Sequence, residues 1–311
     1  MGLDINGTRF LLYARGLDID FTRTAMVGRQ GLHLRKRDLK DSFEAFGYAV
    51  DDELIDAIFT KSDGYAEQLL TCLGAKAVHS FDNSAYEGAT HLHDMNTRLP
   101  DEVKEQYTTV LDGGSLEHVF NFPIAIRNCM EMVSVGGHYL GITPANNLMG
   151  HGFYQFSPEL YFSVFTRANG FDLISLIAFE DTKKATWYSV RSPRKVRRRV
   201  TLINPAPVYL LIVAKRVMKT AIFETTPQQS DYLSAWHQYD TASDGVSTAA
   251  PQAAQRVTPL DRVKRSISRP LKRLVRWVVR RHRGGFDPRF FQPLDPTGSE
   301  RSPKKSLVRP P

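Results

Sequence analysis

The feature that most constrains this chain is a series of short apolar segments that each stop at a carboxylate and alternate with longer amphipathic segments. The apolar segments are AKAVHSF (75–81), THLH (90–93) and YTTVL (107–111), and they lead directly into Asp82, Asp94 and Asp112. Short apolar strands separated by helical patterns are typical of βαβ units with a mostly parallel sheet. The sequence therefore predicts an α/β fold with a doubly wound sheet.

The same alternation continues along the chain. Apolar segments at 138–143, 171–179 and 207–217 predict three more strands, and the order of the last two suggests a final hairpin-like pair. Apolar spacing and capping residues predict helices over 38–47, 52–59, 62–75, 121–133 and 157–170. The first 35 residues receive no firm assignment, since RFLLYARGL fits either a strand or part of a helix.

Composition divides the chain into four parts. Residues 1–50 are assigned to an N-terminal extension that packs on the core, and residues 51–228 to the α/β domain. Small polar residues dominate TASDGVSTAAPQAAQ (241–255), so 229–258 is predicted to be a linker. Residues 259–311 are assigned to a basic tail, with an amphipathic helix followed by a disordered end.

The positive charge of the protein is concentrated in this tail. The net charge is +8 overall, but residues 251–311 contain 16 Lys and Arg against 4 Asp and Glu, and the remaining residues are mildly acidic. A basic amphipathic helix over 259–283 is suited to an anionic membrane surface. We therefore predict peripheral membrane association through the tail. A solvated extension and nonspecific nucleic-acid binding are the alternatives, and a continuous apolar stripe on the helix makes nucleic acid the less favoured one.

Several classes of protein are not favoured by the sequence. Two cysteines are too few for a disulfide framework, no basic and apolar leader begins the chain, and no apolar run reaches the roughly 18 residues of a membrane span. These observations favour a cytoplasmic protein. HLHD (91–94) lacks the further histidines that would complete a metal-ligand set, so no metal site is predicted. No phosphate-binding glycine loop is present either.

Acidic residues at neighbouring strand ends predict a ligand site. In an open parallel sheet, ligands bind outside the carboxyl ends of the strands. Asp82, with Asn83 and Ser84 beside it, is placed to accept hydrogen bonds from ribose hydroxyls, and Asp94 with Met95 to meet an adenine amine. An Asp after a strand is also a common cap or turn residue, so a purely structural role for each stays open.

Two longer segments carry a resemblance to a known family. Residues 62–96 and 110–162, including VLDGGSLEH, VGG, TPANN and GHGFYQFSPE, resemble bacterial class I S-adenosylmethionine-dependent methyltransferases. The resemblance covers about residues 60–215. It implies a Rossmann-like doubly wound seven-strand sheet with the last strand antiparallel, bound S-adenosylmethionine and in-line methyl transfer. It also places Asp112 and Gly113 under the methionine end of the cofactor.

The sequence departs from this family at one motif. Class I methyltransferases carry a glycine-rich turn after the first strand, where the backbone closely approaches the methionine moiety. In this sequence the place is assigned to FTKSDGY (59–65), which has a single glycine. Asp63, Gly64 and Tyr65 are the cofactor-binding candidates in this degenerate motif.

Three residues are candidates for catalysis. Glu117 and His118 follow the Asp112 strand, and His151 lies in the glycine- and aromatic-rich loop GHGFYQFSPE. A histidine beside the methyl acceptor can take a proton from a hydroxyl or amine nucleophile. A packed histidine and a rigid structural loop are the alternatives.

These observations predict an enzyme, an S-adenosylmethionine-dependent methyltransferase that acts on a small-molecule or glycan-like acceptor. The single glycine of FTKSDGY keeps open a second function, a non-catalytic scaffold of the same fold at a membrane surface.

Overall fold

The protein is described by a computed structural model that covers residues 2–183, 185–232, 285–297 and 307–308. The helices are α1 (Ile5–Gly16), α2 (Lys36–Ala45), α3 (Asp52–Thr60), α4 (Glu67–Cys72), α5 (Phe122–Met132), α6 (Pro158–Val164) and α7 (Pro193–Val196). The strands are β1 (Gly2–Leu3), β2 (Arg23–Val27), β3 (Gly31–Leu32), β4 (Ala77–Asp82), β5 (His91–Leu92), β6 (Tyr107–Gly113), β7 (Val133–Asn146), β8 (Phe171–Glu180), β9 (Trp187–Val190), β10 (Val208–Arg216) and β11 (Phe291–Leu294).

Nine of these strands form one mixed sheet in the order β11-β9-β8-β10-β7-β6-β2-β4-β5, and β1 and β3 form a separate parallel pair. Strands β5, β4, β2, β6 and β7 are parallel to their neighbours within this run. Strand β10 is antiparallel to both β7 and β8. The chain builds outward from β2 toward β5 and from β6 toward β7, so the strand order reverses between β2 and β6. Ligands of open α/β sheets bind at such a reversal.

Helices cover both faces of the sheet, and the side chains of β10 show how the layers are separated. Leu211 and Val213 pack into a buried cluster with helices α1 to α4, whereas Leu210 and Ile212 pack into a second cluster with α5 and α6. Successive side chains of a strand point to opposite faces. The sheet is therefore the middle of three layers, as expected for a doubly wound α/β fold.

The strands predicted from apolar segments are confirmed as β4, β5, β6, β7, β8 and β10, and β8 and β10 are an antiparallel pair as expected. The count of seven strands differs from the structure, where the described sheet has nine. The extra strands are β9 and β11, which extend the β8 edge by antiparallel pairing. Both are only four residues long, too short for a clear alternating pattern.

Residues 1–35, which the sequence left unassigned, contain a helix and a central strand. The Asp4 side chain caps α1 by accepting a hydrogen bond from Gly7 N at 2.8 Å. Strand β2 follows and pairs with β4 on one side and β6 on the other. The segment assigned to an N-terminal extension thus supplies a strand in the middle of the sheet.

The predicted helix over 259–283 and the linker beyond residue 232 lie outside the described residues. Within the predicted tail, β11 pairs with β9, and Val308 N donates a hydrogen bond to Cys72 O at 3.0 Å. None of the helices in the described ranges is long and apolar enough to cross a membrane.

Candidate functional site

The loop after β2 and the loop after β6 meet at the reversal of strand order, and Gln30 joins them. Gln30 is fully buried, and its Nε2 donates hydrogen bonds to Val27 O at 2.6 Å and to Ser115 Oγ at 3.2 Å. Its Oε1 has no hydrogen-bond partner among the described residues. A buried amide oxygen without a hydrogen-bond donor lowers the stability of the fold. This atom is therefore suited to a ligand that donates a hydrogen bond.

Gly113 lies directly against the same amide. A Cβ added to Gly113 would lie 2.7 Å from Gln30 Cδ, which is closer than real side-chain contacts allow. The absence of a side chain at Gly113 lets the Gln30 amide approach the end of β6. Sequence reasoning selected Gly113 but missed Gln30, which lies in the unassigned segment TAMVGRQG (24–31).

Asp82, the candidate for the ribose, is the last residue of β4 and is half-buried at the carboxyl edge of the sheet. Its Oδ1 accepts a hydrogen bond from Ser84 N at 3.1 Å. The side chains of Asn83 and Ser84 are exposed. The other carboxylate oxygen of Asp82 takes no part in this hydrogen bond, so the side chain keeps acceptor capacity for a ligand.

Asp94, the candidate for the adenine, lies just beyond β5 in a turn with Asn96. Its Oδ1 accepts hydrogen bonds from Asn96 N at 2.9 Å and Asn96 Nδ2 at 2.8 Å. These hydrogen bonds lower the pKa of Asp94, so the side chain is an anion at neutral pH. Met95 is buried and packs in the core with α5. Asp94 and Asp82 lie on neighbouring strands, and His93 N donates to Asp82 O at 2.8 Å.

Asp63, Gly64 and Tyr65 do not follow the first strand of the sheet but form the turn between α3 and α4. This turn contacts the loop after β2: Leu32 N donates to Gly64 O at 2.7 Å, and Tyr65 forms a β-bridge with Gly31. The Arg29 guanidinium lies 3.9 Å from the centroid of the Tyr65 ring. Residues 63–65 therefore lie beside Gly28 to Gly31, the residues that directly follow β2, and contact them through backbone hydrogen bonds.

Asp112 is buried at the end of β6 and holds the loop that follows. Its Oδ1 accepts hydrogen bonds from Ser115 N at 2.8 Å and Leu116 N at 3.3 Å, and its Oδ2 accepts one from the Tyr139 hydroxyl at 3.2 Å. Burial raises the pKa of Asp112, and the hydrogen bonds oppose that rise. All three donors come from the protein, so the side chain of Asp112 is committed to shaping the loop.

The loop after β6 and the loop after β7 together bring the three catalytic candidates to one cavity. The cavity has a volume of about 280 Å³, lies at the carboxyl ends of β6 and β7, and is also lined by Gly113, Gly114 and Tyr209. Glu117 and His118 lie in a short 3-10 turn, Leu116–His118, and His151 comes from the loop after β7. The structure thus brings His151 close to Glu117 and His118, which precede it in the sequence by more than 30 residues.

Glu117 is the most unusual of the three because it is completely buried and neither carboxylate oxygen has a hydrogen-bond partner among the described residues. Burial, followed by the nearby Asp112 carboxyl, raises the pKa of Glu117. Its Oε1 lies 3.4 Å from His151 Nε2. Partial desolvation of the ring and the neighbouring His151 lower the pKa of His118, so its imidazole is neutral at pH 7.

The loop that carries His151 is fastened to the backbone of Glu117. Phe153 N donates a hydrogen bond to Glu117 O at 2.8 Å. Gly152 has a φ of +73°, and a Cβ there would lie 2.7 Å from the same Glu117 oxygen. Glycine is therefore required at position 152 both for its backbone conformation and for this close approach.

Other residues of the cavity were missed by sequence reasoning. Asp4 precedes α1, Asp181 follows β8, and Tyr209 lies near the start of β10. Burial raises the pKa of Tyr209 to about 12 and also raises the pKa of Asp181. Glu180 directly follows the apolar segment 171–179 and Asp181 comes next, so the rule that selected Asp82 and Asp94 would have pointed to this strand end but to Glu180 first. A second cavity of about 580 Å³ shares Asp4 and Asp181.

Comparisons with known proteins give the following matches. No protein-family model matches the sequence, and no curated protein matches it. Among solved structures, TehB from Haemophilus influenzae is 15% identical with a TM-score of 0.33, over 58% of this chain and 67% of that one. The branched-chain polyamine synthase from Thermus thermophilus, solved with N4-aminopropylspermidine and 5'-methylthioadenosine, is 13% identical with a TM-score of 0.37, over 72% and 61%.

The trans-methyltransferase CalH, solved with SAH, is 11% identical with a TM-score of 0.35, over 67% of this chain and 55% of that one. This chain therefore spans between about half and two thirds of the length of these three proteins. All three TM-scores are below 0.5, so no conclusion about the function of this chain is based on them.

Proposed function

We propose that this protein is an S-adenosylmethionine-dependent methyltransferase. The observation that carries the proposal is the strand order, in which the sheet reverses between β2 and β6 and the antiparallel β10 lies between β7 and β8. The parallel run β5-β4-β2-β6-β7, followed by the antiparallel β10, supports the mixed α/β sheet that the sequence resemblance implies, although the described sheet has nine strands. The candidate residues lie along the carboxyl edge of this sheet, where such folds bind nucleotides.

The residues at the reversal fit the methionine end of the cofactor. The unpaired Gln30 Oε1 is a buried acceptor that suits the cofactor's ammonium group, and the absence of a side chain at Gly113 lets this amide lie against the end of β6. Asp82 would hold the ribose and the turn at Asp94 and Met95 the adenine, since these residues follow the next two strands outward. When bound, S-adenosylmethionine supplies an electrophilic methyl group.

The cavity beside Gly113 and Gly114 would hold the methyl acceptor. Glu117, His118 and His151 form one part of its polar wall, and Asp4, Asp181 and Tyr209 also line it. Close to this wall in the chain are two exposed aromatic side chains, Phe120 and Phe153, whose ring centroids are 5.8 Å apart. Exposed apolar patches next to a polar cavity commonly mark binding sites. We propose a small acceptor with a polar nucleophile and an apolar ring face that packs on Phe120 and Phe153.

Calorimetric titration of the full chain with S-adenosylmethionine and S-adenosylhomocysteine tests the proposal without knowledge of the acceptor. We expect saturable one-to-one binding of both ligands. No heat and no thermal shift at millimolar ligand would place the binding free energy weaker than about −4 kcal/mol, and the proposed function would then be wrong.

A further inference from the structure

We propose that Glu117, His118 and His151 bind a divalent transition-metal ion of the Zn²⁺ type, and that this ion holds the oxygen of a hydroxyl-bearing methyl acceptor. The first observation is that the three side chains converge. One ligand atom from each of the three lies within 4.8 Å of the other two, and the cluster opens into the 280 Å³ cavity. Two imidazoles and a carboxylate are a common donor set for such ions.

The second observation is the burial of Glu117. Its side chain has no exposed surface, and neither oxygen receives a hydrogen bond from the described residues. A buried carboxylate needs a cation or several donors to offset its desolvation. His151 Nε2 is the one ion-pair partner of Glu117 in the described part of the chain. A metal ion bound to Glu117 would satisfy the carboxylate.

The distance between two of the donor atoms matches a metal site. Zn²⁺ binds nitrogen and oxygen at about 2.0–2.2 Å, so two ligands in a tetrahedral site lie about 3.4 Å apart. Glu117 Oε1 and His151 Nε2 are separated by 3.4 Å. The rings of His118 and His151 meet edge to face with centroids 5.1 Å apart, which leaves their nitrogen atoms free to point toward a common centre.

The backbone around the cluster is fixed before any ligand binds. The Asp112 carboxylate holds Ser115 N and Leu116 N, and thereby fixes the turn that carries Glu117 and His118. Phe153 N bonds to Glu117 O at 2.8 Å, and Gly152 permits this close approach, so the loop with His151 is tied to the same turn. Preorganised ligands of this kind favour metal binding over an incidental meeting of side chains.

Three protein ligands leave at least one coordination position open toward the cavity, as in catalytic metal sites. This step rests on the proposed methyltransferase function. A hydroxyl oxygen of the acceptor bound to the ion loses its proton more readily, and the proton leaves to solvent. The resulting oxygen attacks the methyl carbon, the carbon–sulfur bond breaks with its electron pair on sulfur, and an O-methyl product and S-adenosylhomocysteine form. The inferred acceptor class is therefore an alcohol or a phenol.

The test is calorimetric titration of the metal-stripped full chain with Zn²⁺, and with Mg²⁺ for comparison. Glu117→Gln keeps the shape of the side chain and removes its charge. We expect Zn²⁺ affinity to fall by about 100-fold or more in Glu117→Gln and in His151→Ala. His138→Gln is the matched control, because His138 lies on β7 outside the cluster, and it should bind Zn²⁺ as the wild type does. Circular dichroism of each variant verifies folding.

A second readout uses Co²⁺, whose visible absorption reports its ligands. We expect a band typical of four- or five-coordinate Co²⁺ in the wild type and in His138→Gln, and its loss in Glu117→Gln. Equal Zn²⁺ affinity in all four proteins, or no saturable binding to the folded wild type, would overturn the metal site. Binding of S-adenosylmethionine is measured separately, so failure of the metal site and failure of the proposed function are distinguishable.

Discussion

The side-chain amide of Gln30 occupies the space into which a side chain on Gly113 would project, with Cδ only 2.7 Å from the position of a Cβ. The contact joins the loop after β2 to the end of β6, and these are the two strands between which the sheet reverses its order. Hydrogen bonds from Gln30 Nε2 to Val27 O and Ser115 Oγ hold the amide in this place. Gln30 therefore cannot move aside without losing buried hydrogen bonds.

Gly113→Ala should lower the free energy of unfolding by about 1–3 kcal/mol, because the added methyl group overpacks a buried contact. It should also weaken S-adenosylmethionine binding by displacing Gln30 Oε1. Gly150→Ala is the control, since a Cβ at Gly150 meets nothing within 4 Å. Urea denaturation measures the effect, and equal stability of the two variants would show that the Gln30 amide can relocate freely.

Asp82→Ala should weaken S-adenosylmethionine binding roughly 100-fold and leave the fold intact. The carboxylate is half-buried at the end of β4 and would accept hydrogen bonds from both ribose hydroxyls, and each charged hydrogen bond contributes about 1.5–3 kcal/mol. Asp101→Ala is the control, because Asp101 is exposed just before β6, at the opposite edge of the sheet, and pairs only with Lys104 among the described residues. Calorimetry measures both affinities. Unchanged binding in Asp82→Ala would remove Asp82 from the ribose site.

The sequence predicts the parallel half of the sheet well because its strand segments alternate with helical patterns and lead into acids. Strand β6 carries the buried apolar run that a central parallel strand requires, whereas β4 is half-buried over most of its length and contains His79 and Ser80. Strand β2 contains the apolar run TAMV, but it is only five residues long, too short for a clear pattern, and residues 1–35 received no firm assignment. The place of the glycine-rich turn depends on which strand comes first. With β2 unassigned, the loop Gly28–Gly31 that follows it was not weighed as a place for that turn.

The candidate site, too, could be predicted only as far as local sequence patterns reach. The rule of acids at strand ends selects Asp82, Asp94 and Asp112. In the structure, however, the Asp112 carboxylate accepts hydrogen bonds from three protein donors, so its role is to shape its loop. Glu117, His118 and His151 were each chosen for local reasons. Their convergence depends on Gly152 packing against Glu117 O, a contact between two loops that no local pattern encodes.

Arg216 and Lys219 share one partner but differ in burial, so they should differ in their effect on stability. Arg216 Nη2 and Lys219 Nζ each lie 3.1 Å from a Glu105 carboxylate oxygen, but the Arg216 side chain is 4% exposed and the Lys219 side chain 76%. Arg216 also donates to Val133 O at 2.6 Å. Arg216→Met should cost about 3 kcal/mol, because buried acceptors lose their donor, and Lys219→Met less than about 1 kcal/mol. Similar losses in denaturant titrations of the two variants would contradict this account.

His138 should make the protein sensitive to mild acid. Burial, and then the neighbouring Lys215, lower the pKa of His138 to about 4, although Asp20 partly opposes this, and its Nδ1 has no hydrogen-bond partner among the described residues. The folded state thus prefers the neutral ring, whereas in the unfolded chain the imidazole has its ordinary pKa of 6.5. The stabilisation is fully present above pH 6.5 and is lost as the pH falls from 6.5 toward 4.

Because the His138 side chain is only partly buried, solvent screening reduces this loss to about 1–2 kcal/mol. His138→Gln cannot take up a proton, so its free energy of unfolding should fall less than that of the wild type between pH 6.5 and 4. Urea titrations at pH 7, 6, 5 and 4 measure the two curves. Stability curves that converge toward pH 4 would support a neutral buried ring, since the wild type would lose there the extra free energy of unfolding that it has at pH 7. Curves that stay parallel would show that His138 titrates alike in the folded and unfolded chains.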